Sequence, residues 1–558
     1  MSCQGTPDKD DDEGNGDYCD GLDQVEDTAG MLAIVDTSRP YEEYSIEGLR
    51  EAVRGGRGGG ARSVYEMKSR LINKAIQDIG MGRYNWQLFV LCGFGWFADN
   101  LWMQGVSLTL PSLSAEFGIS EKSVRYTTSS LFIGLCFGSF FWGIGSDIMG
   151  RRIAFNATLL IASIFGTVSA WAATWGGVCF MYAVLGFGVG GNLPVDGALF
   201  LEFLPDASSS LLTLLSIWWP IGQLCSSLFA WYFIANWPAY KGWRYFVCAI
   251  GLITFAMFLV RFAIFQMLES PKFLLSQGRQ SEAVAVVQGL AARNGRKTWL
   301  TEDILNEVMG DDDDEPVPMT TTPRRRQQRP TISHLVRTRL ASFSANRIRP
   351  LFNTRKLAIT TSLIWFCWAT IGMGYPLFNA FLPQYFSHGS QPTDPSSTVP
   401  QLPPSTYRNY AITSLAGIPG SLIAAYAVEM RSPLLGRRGT LALSTFVSAV
   451  FLFLFVRLGT RSPTVQLIFS CIEAFAQNIM YGVLYAFTPE IFPAPVRGAG
   501  TGVASFLNRV MGLMAPIIAA TVPGDGTTAP VYLSAGLILA AAVSVCAVPI
   551  ETRGRQRL

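Results

Sequence analysis

Long apolar runs separated by short polar breaks dominate the chain from Trp86 onward. A helix needs about 20 residues to cross the hydrocarbon core of a bilayer. On that measure the pattern predicts membrane helices over residues 86–112, 127–147, 153–174, 177–203, 211–234 and 245–267. After a polar insert it predicts six more, over 357–383, 408–428, 439–458, 464–488, 498–521 and 529–549. The chain then reads as an acidic tail (1–60), an amphipathic juxtamembrane helix (61–85), a six-helix half (86–275), a linker (276–355), a second six-helix half (356–550) and a short tail (551–558).

The halves repeat. Gly150-Arg151-Arg152 follows the second run and Gly436-Arg437-Arg438 the eighth, an offset of 286 residues. Glu202-Phe-Leu-Pro205 ends the fourth run and Glu490-Ile-Phe-Pro493 the tenth, an offset of 288. The expected fold class is therefore an all-α membrane protein with twelve transmembrane helices in two pseudo-symmetric six-helix halves. Parallel repeats of this kind are one transporter architecture, with the substrate between the halves.

Lys/Arg excess marks the cytoplasmic face. Arg151-Arg152, Arg437-Arg438, the Arg-rich insert and the C-terminal RGRQRL fall on one face, so both termini are expected in the cytosol. Lys122, Arg125, Lys241 and Arg244 break the rule on the outer face. The N-terminal tail has neither a basic n-region nor an apolar h-region, so the first apolar run is expected to direct insertion. The tail's acidic, Gly-rich composition predicts disorder. Val64, Met67, Leu71, Ile72, Ala75, Ile76 and Ile79 recur at helical spacing, which predicts a helix lying on the inner membrane interface. The insert carries DDDDE (311–315) and RRRQQR (324–329) and reads as a solvated, partly disordered linker. Residues 387–406, rich in Pro, Ser and Thr, form a long outer loop.

Composition supports the membrane reading. Charged residues make up 15% of the chain and apolar ones 49%, against about a quarter charged in soluble proteins. A net charge of +3 gives no basis for nucleic-acid binding. The ten cysteines are scattered singly with no CxxC pair, which argues against a disulfide framework or a zinc site. The only two histidines, His334 and His388, lie in polar loops. Proton chemistry inside the membrane would then fall to carboxylates or tyrosine. No nucleophile–base constellation, metal cluster or phosphate loop points to an enzyme, and no cofactor is expected.

In GIGSDIMGRR (143–152), Gly143 and Gly150 permit close packing and a tight turn, Asp147 can accept N–H groups at the next helix start, and Arg151 and Arg152 fix the loop inside. The pattern G-x-x-x-D-x-x-G-R-R resembles the signature of the major facilitator superfamily, whose fold and transport function it implies. In that family this loop latches the two halves in one conformation. LESPKFLLSQGR (268–279) resembles the Pro-Glu-Ser-Pro-Arg element of sugar-porter-like members, with Leu268 and Lys272 as departures. PEIFPAPVRGAGTG (489–502) resembles the matching element of the second half. IQDIGMGRYNWQL (76–88) is similar to the synaptic-vesicle-protein-like branch, a neighbour of aromatic-acid and nicotinate symporters. The resemblance implies a conformational latch of Gly143, Asp147, Gly150, Arg151, Arg152, Glu202, Glu269, Arg437, Arg438, Glu490 and Arg497. Family members often carry an Arg where this chain has Tyr182, so a relay attached to that Arg does not carry over. Gly186, Gly188 and Gly191 have G-x-G-x-x-G spacing, but no strand precedes them, and they read as small residues for close helix packing.

Intramembrane carboxylates are costly, about 2.5–3.5 kcal/mol on insertion scales, and mark ion or substrate routes. Asp99, Asp196 and Glu473 are the proton-coupling candidates, with Asp99 first; a structural ion pair or polar contact is the plainer role for each. Trp102, Gln104, Gln223, Gln477, Asn478, Tyr481 and Arg509 are the substrate-binding candidates, suited to a small polar or aromatic solute, and Arg509 to an anion. The expected function is alternating-access secondary transport of a small organic solute with protons, by a monomer in the lipid bilayer of the plasma membrane. The alternatives are a solute sensor that binds without transporting, or a uniporter.

Overall fold

The computed structural model describes residues 44–54, 64–205, 210–265, 267–308, 349–388, 404–429, 436–459, 462–492, 497–521 and 528–550. All regular structure among them is helical. Eleven of these helices are long and apolar enough to cross a membrane. The helix Arg83–Phe117 precedes them, making the twelfth; at 35 residues it has ample length. Its middle is polar, carrying Asp99, Asn100, Gln104, Ser107, Thr109 and Ser112, all buried.

The first half continues with Tyr126–Met149, Arg151–Ser169, the fourth helix in two segments (Trp175–Val189 and Asn192–Phe203), Trp218–Asn236, and Ala239–Leu259 with a π-helical turn at Val260–Ile264. The second half comprises Arg355–Asn379, Pro404–Glu429, Arg437–Arg457, Pro463–Ile491, Arg497–Thr521 and Ala529–Cys546. The predicted runs fall on these twelve helices. We refer to them as the first to the twelfth. Thr174 and Thr354 cap the fourth and seventh, each accepting an N–H three residues on.

Backbone polar groups in lipid must be satisfied within the protein. Buried hydroxyls comply by bonding back to their own helix, as Thr254 does to Ile250 and Thr488 to Leu484. The second and fourth helices approach at backbone distance. A Cβ on Gly186 would stand 2.3 Å from the Leu131 carbonyl oxygen, and one on Gly188 2.7 Å from that of Thr158 on the third helix. The G-x-G-x-x-G run thus faces neighbouring helices. Gly143, in contrast, has nothing within 4 Å of its Cβ position, so close packing does not explain it.

Two of the four outer cations that break the charge rule, Arg244 and Arg125, are tied down. Arg244 pairs with Glu116 at 2.7 Å and donates to the Ala170 carbonyl at 2.6 Å. Arg125 donates to the Ala519 carbonyl at 2.6 Å, and its guanidinium lies over the Phe381 ring.

Among the described residues, those from 44 to Tyr84 and from Leu274 to residue 308 belong to a separate small unit. The helix Val64–Ile79 packs on Gln280–Arg293, and each buries an apolar face. Asp78 accepts from Tyr44 at 3.1 Å and from the Trp299 indole at 3.0 Å. Leu71, Ile72, Ala75, Ile76 and Ile79, five of the residues at helical spacing, are buried. The first part of the expected linker, to residue 308, is folded with the N-terminal segment. The acidic run and the basic run lie outside the described residues, as do most of the tail and of the outer loop.

Candidate functional site

The buried charges sort into two kinds. Asp196, on the second segment of the fourth helix, pairs with Arg261 at 2.8 Å, both side chains fully buried. Arg261 sits in the π-helical turn at the end of the sixth helix. Its Nε and Nη2 donate to the Leu91 carbonyl at 2.9 and 2.6 Å, and its Nη1 to the Phe155 carbonyl at 2.9 Å. The guanidinium also covers the Phe155 ring at 3.7 Å. One side chain thereby fastens the first, third, fourth and sixth helices. A Cβ on Gly95 would stand 1.8 Å from Asp196 Oδ2, so the glycine is what lets this carboxylate reach the first helix. Arg261 was missed in the sequence reading. The rule that singled out the carboxylates applies equally to an arginine in LVRFAIF.

Asp99 lies one turn along the first helix from Gly95 and is 4% exposed. It accepts from the Asn192 side-chain amide at 2.8 Å. Among the described residues no Lys or Arg forms an ion pair with it. Asn192 is the first residue of the Asn192–Phe203 segment. Asp196 follows one turn later, so its bond to Arg261 fixes the face on which Asn192 meets Asp99.

Polar and aromatic side chains of both halves meet along the seam between them. Arg509, half-buried on the eleventh helix, donates across the seam to Leu135 at 3.3 Å and Gly190 at 3.2 Å. Gln223 donates to Asn100 at 2.9 Å and to Tyr375, across the seam, at 3.0 Å. Trp96 stacks on Trp219 at 4.8 Å, and Trp219 in turn meets Tyr481 and Tyr485. Gln477 accepts from Asn379 at 2.9 Å. Asn478 donates within its own helix, and Ser421, which approaches its side-chain oxygen at 3.5 Å, also donates to Ser216 across the seam. Gln104 lies beside Tyr410. Glu473 accepts from Ser448 at 3.3 Å, inside the second half. Trp102 does not join the seam: its indole donates to Thr254 at 3.0 Å and its ring packs on Gly166, inside the first half.

On the face of the Arg-Arg loops, Arg151 pairs with Glu202 at 3.4 Å and Arg437 with Glu490 at 2.9 Å, equivalent pairs in the two halves. Arg438 donates to the Val548 carbonyl. The Arg151 and Arg152 amides at the start of the third helix bond to the Glu269 carboxylate, at 2.9 Å for the nearest contact. Gly150 turns the chain there with φ +102°. The acceptor at this helix start is thus Glu269; the Asp147 side chain lies outside the described residues. Arg497 opens the eleventh helix, and Pro493 is not among the described residues.

A family model described as "Sugar (and other) transporter" matches residues 77–336. The chain is 41% identical over 512 residues to "MFS siderochrome iron transporter 1" of Ceriporiopsis subvermispora, covering 90% of this chain and 94% of that protein. It is 27% identical over 540 residues to the "Synaptic vesicle 2-related protein" of Bos taurus, covering 93% and 89%. The xylose transporter XylE from E. coli, in a partially occluded inward-open conformation, superposes with a TM-score of 0.62 at 14% identity, covering 85% of this chain and 99% of that one. That match speaks to the fold.

Proposed function

The chain belongs to the major facilitator superfamily of membrane transporters, and from that premise we propose that it is a proton-coupled symporter of a small organic solute, working by alternating access. The observation that carries the coupling is the contrast between Asp196 and Asp99. Asp196 is held by Arg261. Asp99 is as deep in the membrane body but has an amide for its partner. A carboxylate whose hydrogen-bond partner is a neutral amide can gain or lose a proton without breaking an ion pair, so Asp99 takes up a proton where it meets an acidic compartment and releases it where it meets a less acidic one.

The seam supplies the solute site: Gln223, Tyr481 and their aromatic neighbours to enclose the solute, and Arg509 to receive a negative group. Glu473 is a second proton acceptor in the other half. The Arg151–Glu202 and Arg437–Glu490 pairs and the Glu269 cap serve as latches on the cytosolic face. The plasma membrane and cytosolic termini complete the reading, supported by the basic loops.

Asp99→Asn tests the coupling in proteoliposomes. Uptake driven by an acidic exterior should be lost, while exchange of labelled for unlabelled solute, which needs no net proton movement, persists. Unchanged pH dependence in the variant would sink the proposal. Binding without any flux in the wild-type protein would favour a sensor instead.

A further inference from the structure

Arg509 and Arg261 are both arginines in the middle of the membrane body, yet among the described residues only Arg261 is in an ion pair. Arg261 has a carboxylate, three further hydrogen bonds no longer than 2.9 Å and an aromatic face. Arg509 has two carbonyls at 3.2 and 3.3 Å, both on the opposite half, and among the described residues no carboxylate forms an ion pair with it. A guanidinium left this way in a poorly hydrated seam is expensive. The carbonyls satisfy donors without neutralising the charge.

The Gly190 carbonyl is available for a specific reason. Gly190 and Gly191 keep helical dihedrals (φ −57° and −83°, ψ −22° and −21°), so the fourth helix continues through them in shape. In an unbroken α-helix the carbonyl of residue 190 would accept the N–H of residue 194. Residue 194 is proline and has none. The orphaned carbonyl turns to Arg509 instead, while Val195 resumes the ladder by donating to Gly191 at 3.1 Å. Tyr485 and Asp99 lie within electrostatic reach of Arg509.

From this geometry we propose that Arg509 is an anion-released clasp, and that the solute carries a carboxylate. In the empty carrier the guanidinium ties the second half to the Gly190 and Leu135 carbonyls of the first. A carboxylate forms shorter, charge-assisted bonds than two distant carbonyls, so the solute's negative group takes the guanidinium and the tie across the seam is given up. Loading the carrier thereby frees its halves to move. This rests on the reading of the chain as a solute carrier with its site at the seam.

The test uses the full-length protein in nanodiscs, with benzoate as the probe and benzamide as its neutral counterpart, measured by titration calorimetry. Wild type should bind benzoate and not benzamide. Arg509→Gln should lose benzoate, and Arg509→Lys should retain weaker binding; both must elute as monodisperse protein. Pro194→Ala restores an in-helix donor for Gly190 and so removes a competitor for Arg509. It should tighten benzoate about fivefold, equivalent to about 1 kcal/mol. Unchanged or weaker binding in Pro194→Ala, with loss in Arg509→Gln, overturns the clasp and leaves the anion site standing. Equal binding of the two probes, or binding of neither, overturns the carboxylate assignment as well.

Discussion

Arg261 and Asp196 illustrate how a buried charge becomes part of a scaffold. Removing one partner of a buried pair costs about 3–5 kcal/mol, because the other is left uncompensated, whereas apolar replacement of both is often nearly neutral. Arg261→Met or Asp196→Leu alone should therefore sharply lower the thermal midpoint of the detergent-solubilised protein. The double variant should recover most of the loss. A double variant as unstable as the sum of the singles would mean that the pair is not the unit of stability. The Leu91 and Phe155 carbonyls keep their own helical donors, so they do not prevent that recovery. Asp99 sits one turn from Gly95 and obeys a different logic, since its partner is an amide. Sequence singled out both aspartates by the same rule of cost in lipid. It could not separate them, because the separating residue, Arg261, lies 65 positions further on and meets Asp196 only after four helices are packed. Trp102 shows the same limit: an indole in a polar stretch reads as lining, and the fold turns it inward onto Gly166.

At the scale of elements, the starts and stops of helices carry the most information. The third helix begins on a glycine with φ +102° and is capped from afar by Glu269. An L-residue pays about 1–2 kcal/mol in left-handed backbone, and a Cβ on Gly150 would stand 2.9 Å from the Glu269 carboxylate. Losing a cap costs about 0.5–2 kcal/mol. Gly150→Ala and Glu269→Ala should each lower stability by amounts of that order. Because both spoil one cap, the double variant should lose less than the sum, as coupled neighbours do. Chemical denaturation of the three variants measures it; strict additivity would show that Glu269 acts elsewhere. The membrane helices were legible because each is a continuous apolar run of spanning length. The small unit was not. Its two parts, around residues 64–84 and 274–308, are separated by the whole first half, and an apolar helix face reads the same whether protein or lipid covers it. The fourth run reads as continuous over 177–203 in the sequence, and the carbonyl that Pro194 frees within it has meaning only once Arg509 is known to stand opposite.

For the molecule as a whole, the question is which polar contacts resist separation of the halves. On the Arg-Arg face, Arg151–Glu202 ties elements of the first half and Arg437–Glu490 the equivalent elements of the second. On the opposite face Arg125 resists that separation. It stands at the start of the second helix, 2% exposed, and donates to the last-turn carbonyl of Ala519 on the eleventh, over the Phe381 ring that follows the seventh. The residue four further on is Pro523, which has no N–H to give, and the carbonyl lies in the last turn of its helix, at the negative end of the dipole, where a cation is favoured. A hydrogen bond to a charged group contributes about 1.5–3 kcal/mol, which is about tenfold or more in the ratio of closed to open carrier on that face. Arg125→Ala should therefore raise the open population. A single cysteine replacing Phe132, which packs against Gly512 across the seam, reports it in a background free of other cysteines. Its labelling by a membrane-impermeant maleimide should accelerate by about the same tenfold factor in Arg125→Ala. Lys122→Ala, an exposed cation three residues away, should leave the rate unchanged. Equal rates in all three proteins would mean that the outer seam is held by packing alone, and that Arg125 anchors the eleventh helix without opposing its movement.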